Sequence, residues 1–234
     1  SGIANGSETL TVNPVDNGIY DAAGDEASTS QSNNTASLNA IGESLSFDGV
    51  DDKVDLGNQS AFSPTSEITV QGWVLPESYE DNKHVISKGS HINLNYRSYS
   101  IQGPYSDNKW YAGINVNGTE YSLVSTSDAV LNTWSHVVLS YDGSTIKLYI
   151  NGQSEASQVA SGSINTTNEP LYFGSHKYYA SSDYWFDGSL DEVAIWDKAL
   201  TASEITALYN SGVALDALSN SGNYASSADL KGYW

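Results

Sequence analysis

The chain contains no cysteine and no methionine. Without thiols it has no disulfides, no thiolate zinc site and no cysteine nucleophile, so its stability rests on packing. Basic residues are scarce: nine Lys and Arg stand against 28 Asp and Glu, a formal net charge of −19. That balance argues against a nucleic-acid partner, because phosphate binding needs clustered Lys and Arg. It also opposes docking on anionic lipid. No apolar run approaches the ~20 residues of a spanning helix, so no membrane insertion is expected. Common catalytic signatures are missing as well: there is no G-x-S-x-G, no phosphate-binding glycine loop and no His-rich zinc motif.

What is present favours strands. The 234 residues are enough for one large core. Sixteen Tyr, six Trp and many Thr, Val and Ile have high β-propensity. From Ser44 onward strand signals recur between Gly, Asn and Asp turns: SLSFDG, EITVQGWVLP, HVISKG, HINLNYRSYSIQ, KWYAGINV, EYSLVST and PLYFGS. Asn117-Gly118 predicts a two-residue hairpin, and Asp142-Gly143 and Asn151-Gly152 predict two further turns. In TWSHVVLSYDG, Trp134, His136, Val138 and Ser140 share one side while Ser135, Val137, Leu139 and Tyr141 share the other. Both sides carry apolar residues, as in a central strand covered on each face, and His136 reads as a core histidine rather than a ligand. Near the end, Gly188 predicts a tight turn into a strand built on Leu190, Val193, Ile195 and Trp196. Thr201 and Glu204 then form a capping box, with Ile205, Leu208 and Tyr209 on one helix face. The pattern predicts an all-β fold, an antiparallel β-sandwich jelly roll with one short C-terminal helix.

Composition divides the chain in three. Residues 1–43 form a polar flank rich in Ser, Asn, Ala, Thr, Gly and Asp, with strand-like pieces at Thr9–Val15 and Gly18–Tyr20. The run YDAAGDEASTSQSNNTASLN resembles the last strand and exit of bacterial Ig-like repeats; a plain polar linker is the other reading. Residues 44–212 hold the strand pattern and the helix. Residues 213–234 return to Ser, Asn, Ala and Gly, and SSADLKGYW is similar to the opening strand of a following module. Both flanks point to neighbouring domains of a larger chain.

Four blocks carry a family resemblance: LSFDGVDDKVDLG, ITVQGWVLPE, NTWSHVVLSYDGSTIKLYINGQ, and PLYFGS followed by FDGSLDEVAIWDKALTASEI. In order and spacing they resemble the LamG/pentraxin-like domains of the concanavalin A-like lectin/glucanase superfamily. The resemblance implies a concanavalin A-like jelly roll and a binding module rather than an enzyme, although one fold hosts many activities.

Calcium is the first candidate ligand, since it takes six to eight oxygens from carboxylates, amides and carbonyls. Asp48, Asp51 and Asp52 sit on one glycine-containing turn, and Asp187 and Asp191 flank the start of the last long strand. If the terminal strands pair at one edge, as the family fold implies, these residues converge; the other reading is ordinary turn chemistry and a solvated acidic shell. Asp81 and Asn82 are similar to the Asp-Asn pair with which pentraxins hold calcium. The partner positions of that site fall at Ser175-His176-Lys177-Tyr178, where a carboxylate is absent and a lysine present, with Asp183 further along as a substitute.

Sugars need aromatic platforms for their CH faces and polar groups for their hydroxyls. Two regions offer that mixture: His84, Asn95, Tyr99, Tyr105 and Trp110, and Tyr178, Tyr179, Asp183, Tyr184 and Trp185. The other reading is that these aromatics pack into the core. For catalysis, the glycosidases of this superfamily show E-x-D motifs on one strand, and the chain has none. Asp191 and Glu192 are adjacent and should point to opposite faces. Lyases of this fold use Tyr, His, Gln and Arg, but the chain's single arginine, Arg97, lies in no recognisable lyase motif. The sequence therefore reads as a non-catalytic extracellular or cell-surface module that binds a glycan or surface polymer, with calcium as a structural ion. The alternatives are an assembly domain of a viral fibre, capsid or bacterial adhesin, and a polysaccharide hydrolase or lyase.

Overall fold

The computed structural model describes residues 9–11, 35–37, 44–89, 97–176 and 184–234. The chain divides into two compact units, Ser1–Glu43 and Ser44–Trp234. In the first, β1 (Thr9–Thr11) pairs antiparallel with β2 (Thr35–Ser37), placing Leu10 opposite Ala36. The piece at Gly18–Tyr20 and, apart from β2, the run similar to an Ig-like exit lie outside the described residues.

The second unit contains β3 (Leu45–Asp48), β4 (Val54–Asp55), β5 (Ile68–Pro76), β6 (His84–Gly89), β7 (Arg97–Gln102), β8 (Lys109–Val116) and β9 (Thr119–Asp128). It continues with β10 (Ser135–Tyr141), β11 (Thr145–Ile150), β12 (Gln153–Val159), β13 (Leu171–Phe173), β14 (Asp187–Trp196), α1 (Ala202–Tyr209) and β15 (Leu230–Tyr233). Among the described residues these strands form two antiparallel sheets. The first runs β12-β11-β10-β5-β14, and beyond β14 its two halves take separate partners: β3 lies along Asp187–Leu190 and β15 along Ala194–Trp196. The second runs β4-β13-β6-β7-β8-β9. Asn117-Gly118 closes the β8–β9 hairpin and Asn151-Gly152 the β11–β12 hairpin, both residues of each pair having positive φ, as a two-residue turn between twisted strands requires.

The main core lies between the sheets. Val70, Val74, Val137, Leu139, Tyr141, Leu148, Leu190 and Ile195 from the first sheet meet Ile101, Trp110, Ala112, Ile114, Leu171 and Phe173 from the second. The opposite face of the first sheet is covered too: Val138, Tyr149, Ala194 and Trp196 pack against Leu200, Ile205 and Leu208 of α1 and its approach, and against Ala217 and Tyr224. Hence β10 is buried on both faces along its whole length. His136 is fully buried in this second layer, stacked on Trp73 (centroids 5.4 Å apart), with Nε2 3.1 Å from Gln71 Oε1. Burial lowers its pKa to about 3, so it stays neutral. The helix starts where the sequence predicts: Thr201 Oγ1 accepts from Glu204 N, and Thr201 N donates to Glu204 Oε2.

Three expectations need correction. Gly188 makes no turn; it lies inside β14, with φ +143° and so close to β5 that a Cβ would meet the Leu75 carbonyl at 2.1 Å. Asp191 and Glu192 do not simply alternate. Glu192 has φ +52°, and the register with β5 slips by one residue between Asp191 and Ala194, which is a β-bulge. Residues 213–234 belong to the same compact unit as the jelly roll and are no separate flank. β15 extends the first sheet, Trp234 exchanges both backbone hydrogen bonds with Val193 at 2.9 Å, and its indole meets Phe62 and Phe173 edge-on at 5.5 and 5.2 Å. That indole folds over Gly232, where a Cβ would fall 2.2 Å from the ring.

The bulge creates a proton-linked contact. The Glu192 carboxylate accepts the Tyr233 hydroxyl of β15. Burial first, then the charges of Asp191 and Asp216, push the Glu192 carboxyl up to about 7 from 4.5, against the lowering effect of the Tyr233 bond. The folded chain therefore keeps a proton that the unfolded chain has released, and stability falls as pH rises from about 4.5 to about 7.

Two outcomes are expected. Trp234→Ala should cost about 2–3 kcal/mol and lower the thermal midpoint by about 5–10 °C, and an unchanged midpoint would mean that the tail lies loosely on the sheet. Glu192→Gln should melt higher than the parent above pH 7, with the gap closing as pH falls toward 4.5; a gap independent of pH would contradict the proton linkage.

Candidate functional site

The second sheet buries one face in the core and turns the other outward. Alternation sends Tyr99 and Ile101 of β7, and Trp110, Ala112 and Ile114 of β8, inward. Ser98, Ser100 and Gln102, and Tyr111, Gly113 and Asn115, are left for the outer face. Register then lines up one small residue per strand: Ser87 of β6 is opposite Ser100, and Ser100 is opposite Gly113. The strands lie ~4.8 Å apart, so the three make a low shelf running across them. A second row follows, His84 opposite Gln102 and Gln102 opposite Tyr111.

A shallow groove open to solvent lies on this face. Its lining is mostly uncharged and polar: Ser87, Ser98, Ser100, Gln102 and Asn115, with the imidazoles of His84 and His176. Gly113 keeps the floor low; a Cβ there would still stand 3.5 Å from Ser100 Oγ and 3.6 Å from the Tyr121 carbonyl. His84 and His176 pack ring to ring at 4.3 Å, and Tyr184 leans on His176 at 4.8 Å. Ser87 Oγ donates to the Ser175 carbonyl at 2.8 Å, tying β6 to this wall. Near Gln102, Tyr105 stacks on Tyr111 at 3.9 Å and donates its hydroxyl to Gln102 Oε1. Burial, then the nearby charges of Asp81 and Tyr111, push the Tyr105 phenol up to about 12, so it stays a donor. At the other side Arg97 is ion-paired with Glu120.

Of the predicted sugar residues, His84 lines the groove, and Tyr105 and Tyr184 contact its lining through Gln102 and His176. Trp185 is not part of the lining; it lies under the Lys53 ammonium, 5.7 Å from the ring centroid. Trp110 is a core residue and is corrected as a platform; Tyr99 borders the groove but turns its ring and hydroxyl into the core. Tyr99 is 3% exposed with its hydroxyl on the Phe62 carbonyl, and Trp110 is fully buried. Asn95, Tyr178, Tyr179 and Asp183 lie outside the described residues. The sequence reading does not reach Ser87, Ser100, Gly113, Asn115 or Glu120; their signal is the alternation of RSYSIQ and KWYAGINV, whose outward positions are small or polar.

Among the described residues one acidic group has metal-like spacing: Asp48, Asp51 and Asp52 bring carboxylate oxygens within 4.8 Å of one another. They are exposed, on the turn that carries the chain from β3 in one sheet to β4 in the other. Oxygen donors of this kind suit calcium, although Asp48 Oδ1 already accepts from Val50 N and Asp52 Oδ2 from Asp48 N. Asp187 is opposite Asp48 in register and lies against Gly49. Asp191 does not converge; it is four residues further along β14, ~13 Å away, with its own oxygen on Glu192 N. Asp81 accepts from both the backbone and hydroxyl of Ser106, at 2.9 and 3.0 Å, and so fastens the turn before β8. Asn82 beside it has positive φ.

Comparison with known proteins agrees with this architecture. No curated protein sequence matches the chain. Among solved structures, domain 4 of an extracellular arabinanase from Geobacillus stearothermophilus, solved with arabinotriose, is similar at TM-score 0.58 and 21% identity, over 73% of this chain and 78% of that one. The CBM40 domain of the Ruminococcus gnavus IT-sialidase, solved with α2,3-sialyllactose, is similar at TM-score 0.56 and 14% identity, over 72% and 97%. The SAP-like pentraxin of Limulus polyphemus is similar at TM-score 0.55 and 17% identity, over 71% and 81%. At such identities the likeness speaks for the fold. The model of one family matches residues 48–206, more than half of the sequence, and the chain belongs to that family, the concanavalin A-like lectin/glucanases superfamily.

Proposed function

We propose that this is a non-catalytic carbohydrate-binding domain whose ligand lies in the groove over β6, β7 and β8. The observation that carries the reading is the outward shelf of Ser87, Ser100 and Gly113, set among amides, hydroxyls and imidazoles. Such groups exchange hydrogen bonds with sugar hydroxyls, and a floor without large side chains admits a ring. Similar folds solved with arabinotriose and with sialyllactose support the assignment. A binding rather than a hydrolytic role fits the carboxylates: among the described residues Glu120 is the one carboxylate in the groove lining and is held by Arg97, whereas retaining glycosidases need two about 5 Å apart. An extracellular setting fits the acidic, cysteine-free composition. Among the described residues no helix is long and apolar enough to cross a membrane. Calcium, held by Asp48, Asp51 and Asp52 with Asp187 alongside, would fix the crossing between the sheets and take no direct part in sugar recognition.

Gly113→Val tests the site. Gly113 lies within a regular strand, so valine should fit the backbone and fill the floor. Binding to a responsive polysaccharide should fall at least roughly tenfold, with the circular dichroism spectrum unchanged. Undiminished binding would move the site elsewhere. For the metal, a thermal scan in excess calcium against excess EDTA should separate the midpoints by several degrees, because a ligand at 100 times its dissociation constant adds about 2.7 kcal/mol. Asp52→Asn should abolish the difference. Identical scans would leave the carboxylates as turn residues.

A further inference from the structure

We infer that the groove takes neutral glycans and turns away acidic ones, and that Glu120 sets this choice; the inference rests on the carbohydrate reading above. Arg97 is the chain's single arginine and it lines the groove. A guanidinium is the side chain best shaped to receive a sugar carboxylate, through two parallel hydrogen bonds. Here that capacity is taken up within the protein. Arg97 on β7 reaches over β8 to the Glu120 carboxylate on β9, where a Cβ on Gly113 would lie 3.9 Å from Glu120 Oε1. Among the described residues the other cation in the lining, Lys88, is only 1% exposed. Its ammonium donates to Asn58 Oδ1 at 2.7 Å and to the Glu169 carbonyl.

An acidic sugar would therefore have to break the Arg97–Glu120 pair and leave Glu120 beside its own carboxylate. Stranding a charge in this way costs more than the exchange returns. The net charge of −19 adds a repulsion that reaches about 10 Å into 0.1 M salt. A neutral sugar meets neither penalty, because Ser87, Ser98, Ser100, Gln102 and Asn115 offer donors and acceptors without net charge.

The test is affinity electrophoresis of the full chain at pH 8, above the ordinary imidazole range of about 6.5. One set of gels carries neutral polymers (barley β-glucan, debranched arabinan, galactomannan) and the other acidic ones (polygalacturonate, alginate). The parent protein should be retarded by at least one neutral polymer and by neither acidic one. Glu120→Gln should gain roughly tenfold or more affinity for an acidic polymer, a gain that weakens with added salt. An unchanged circular dichroism spectrum shows that the variant is folded. Glu120→Gln combined with Arg97→Gln should lose the gain, which separates a released guanidinium from a mere change in net charge. Parent binding to acidic polymers as strong as to neutral ones, or no gain in Glu120→Gln, would overturn the inference while leaving carbohydrate binding intact. No retardation by any polymer would overturn the carbohydrate reading and this inference with it.

Discussion

The domain depends on the burial of β5, β10 and β14 from both sides. One face of these strands meets the second sheet; the other carries α1 and the residues after it. Apolar side chains on both faces leave no solvated surface to tolerate a slip in register, since moving β14 by one residue would exchange its two sets of partners. Several local features hold that register. Gly188 permits close approach to Leu75, the bulge at Glu192 resets the alternation, and Thr69 Oγ1 reaches the Lys198 carbonyl at 2.8 Å while accepting Leu200 N at 2.9 Å. These last contacts join the sheet to the segment that leads into α1.

The middle strands of the first sheet are covered on both faces, and the groove lies on the outer face of the second. There the same alternation that buries Ile101, Trp110 and Ile114 leaves serine, glycine and asparagine outward. The groove is thus a by-product of the core pattern, shaped by bare positions more than by aromatic platforms. The stacked Tyr105 and Tyr111, and the His84–His176–Tyr184 group, stand beside its polar lining.

How much of this is legible in the sequence depends on range. The Asn-Gly hairpins, the capping box at Thr201 and the two-faced character of β10 are readable because each is decided within a few residues. Tyr99 and Trp110 mislead because their neighbours look like loop; only pairing with β6 and β9 shows that they point inward. The final segment misleads for a similar reason. LKGYW is short and partly polar, and its attachment lies in Val193, Phe62 and Phe173, all distant in sequence. Asp191 and Glu192 defeat the rule of alternation because a bulge is one extra residue that no local signal marks. The groove is the least legible feature, since Ser87, Ser100 and Gly113 become neighbours only through strand register.

The alternation along β7 and β8 has a consequence for how such a domain can change over generations. Positions 100 and 113 face outward, and their immediate neighbours Ile101, Ala112 and Ile114 face the core. A replacement at the outward positions alters what the sheet presents without touching the residues that keep it folded. What the groove presents can therefore drift by single steps, each free of the compensating repacking that a buried position would demand, and the fold can be inherited by descendants whose outer faces differ.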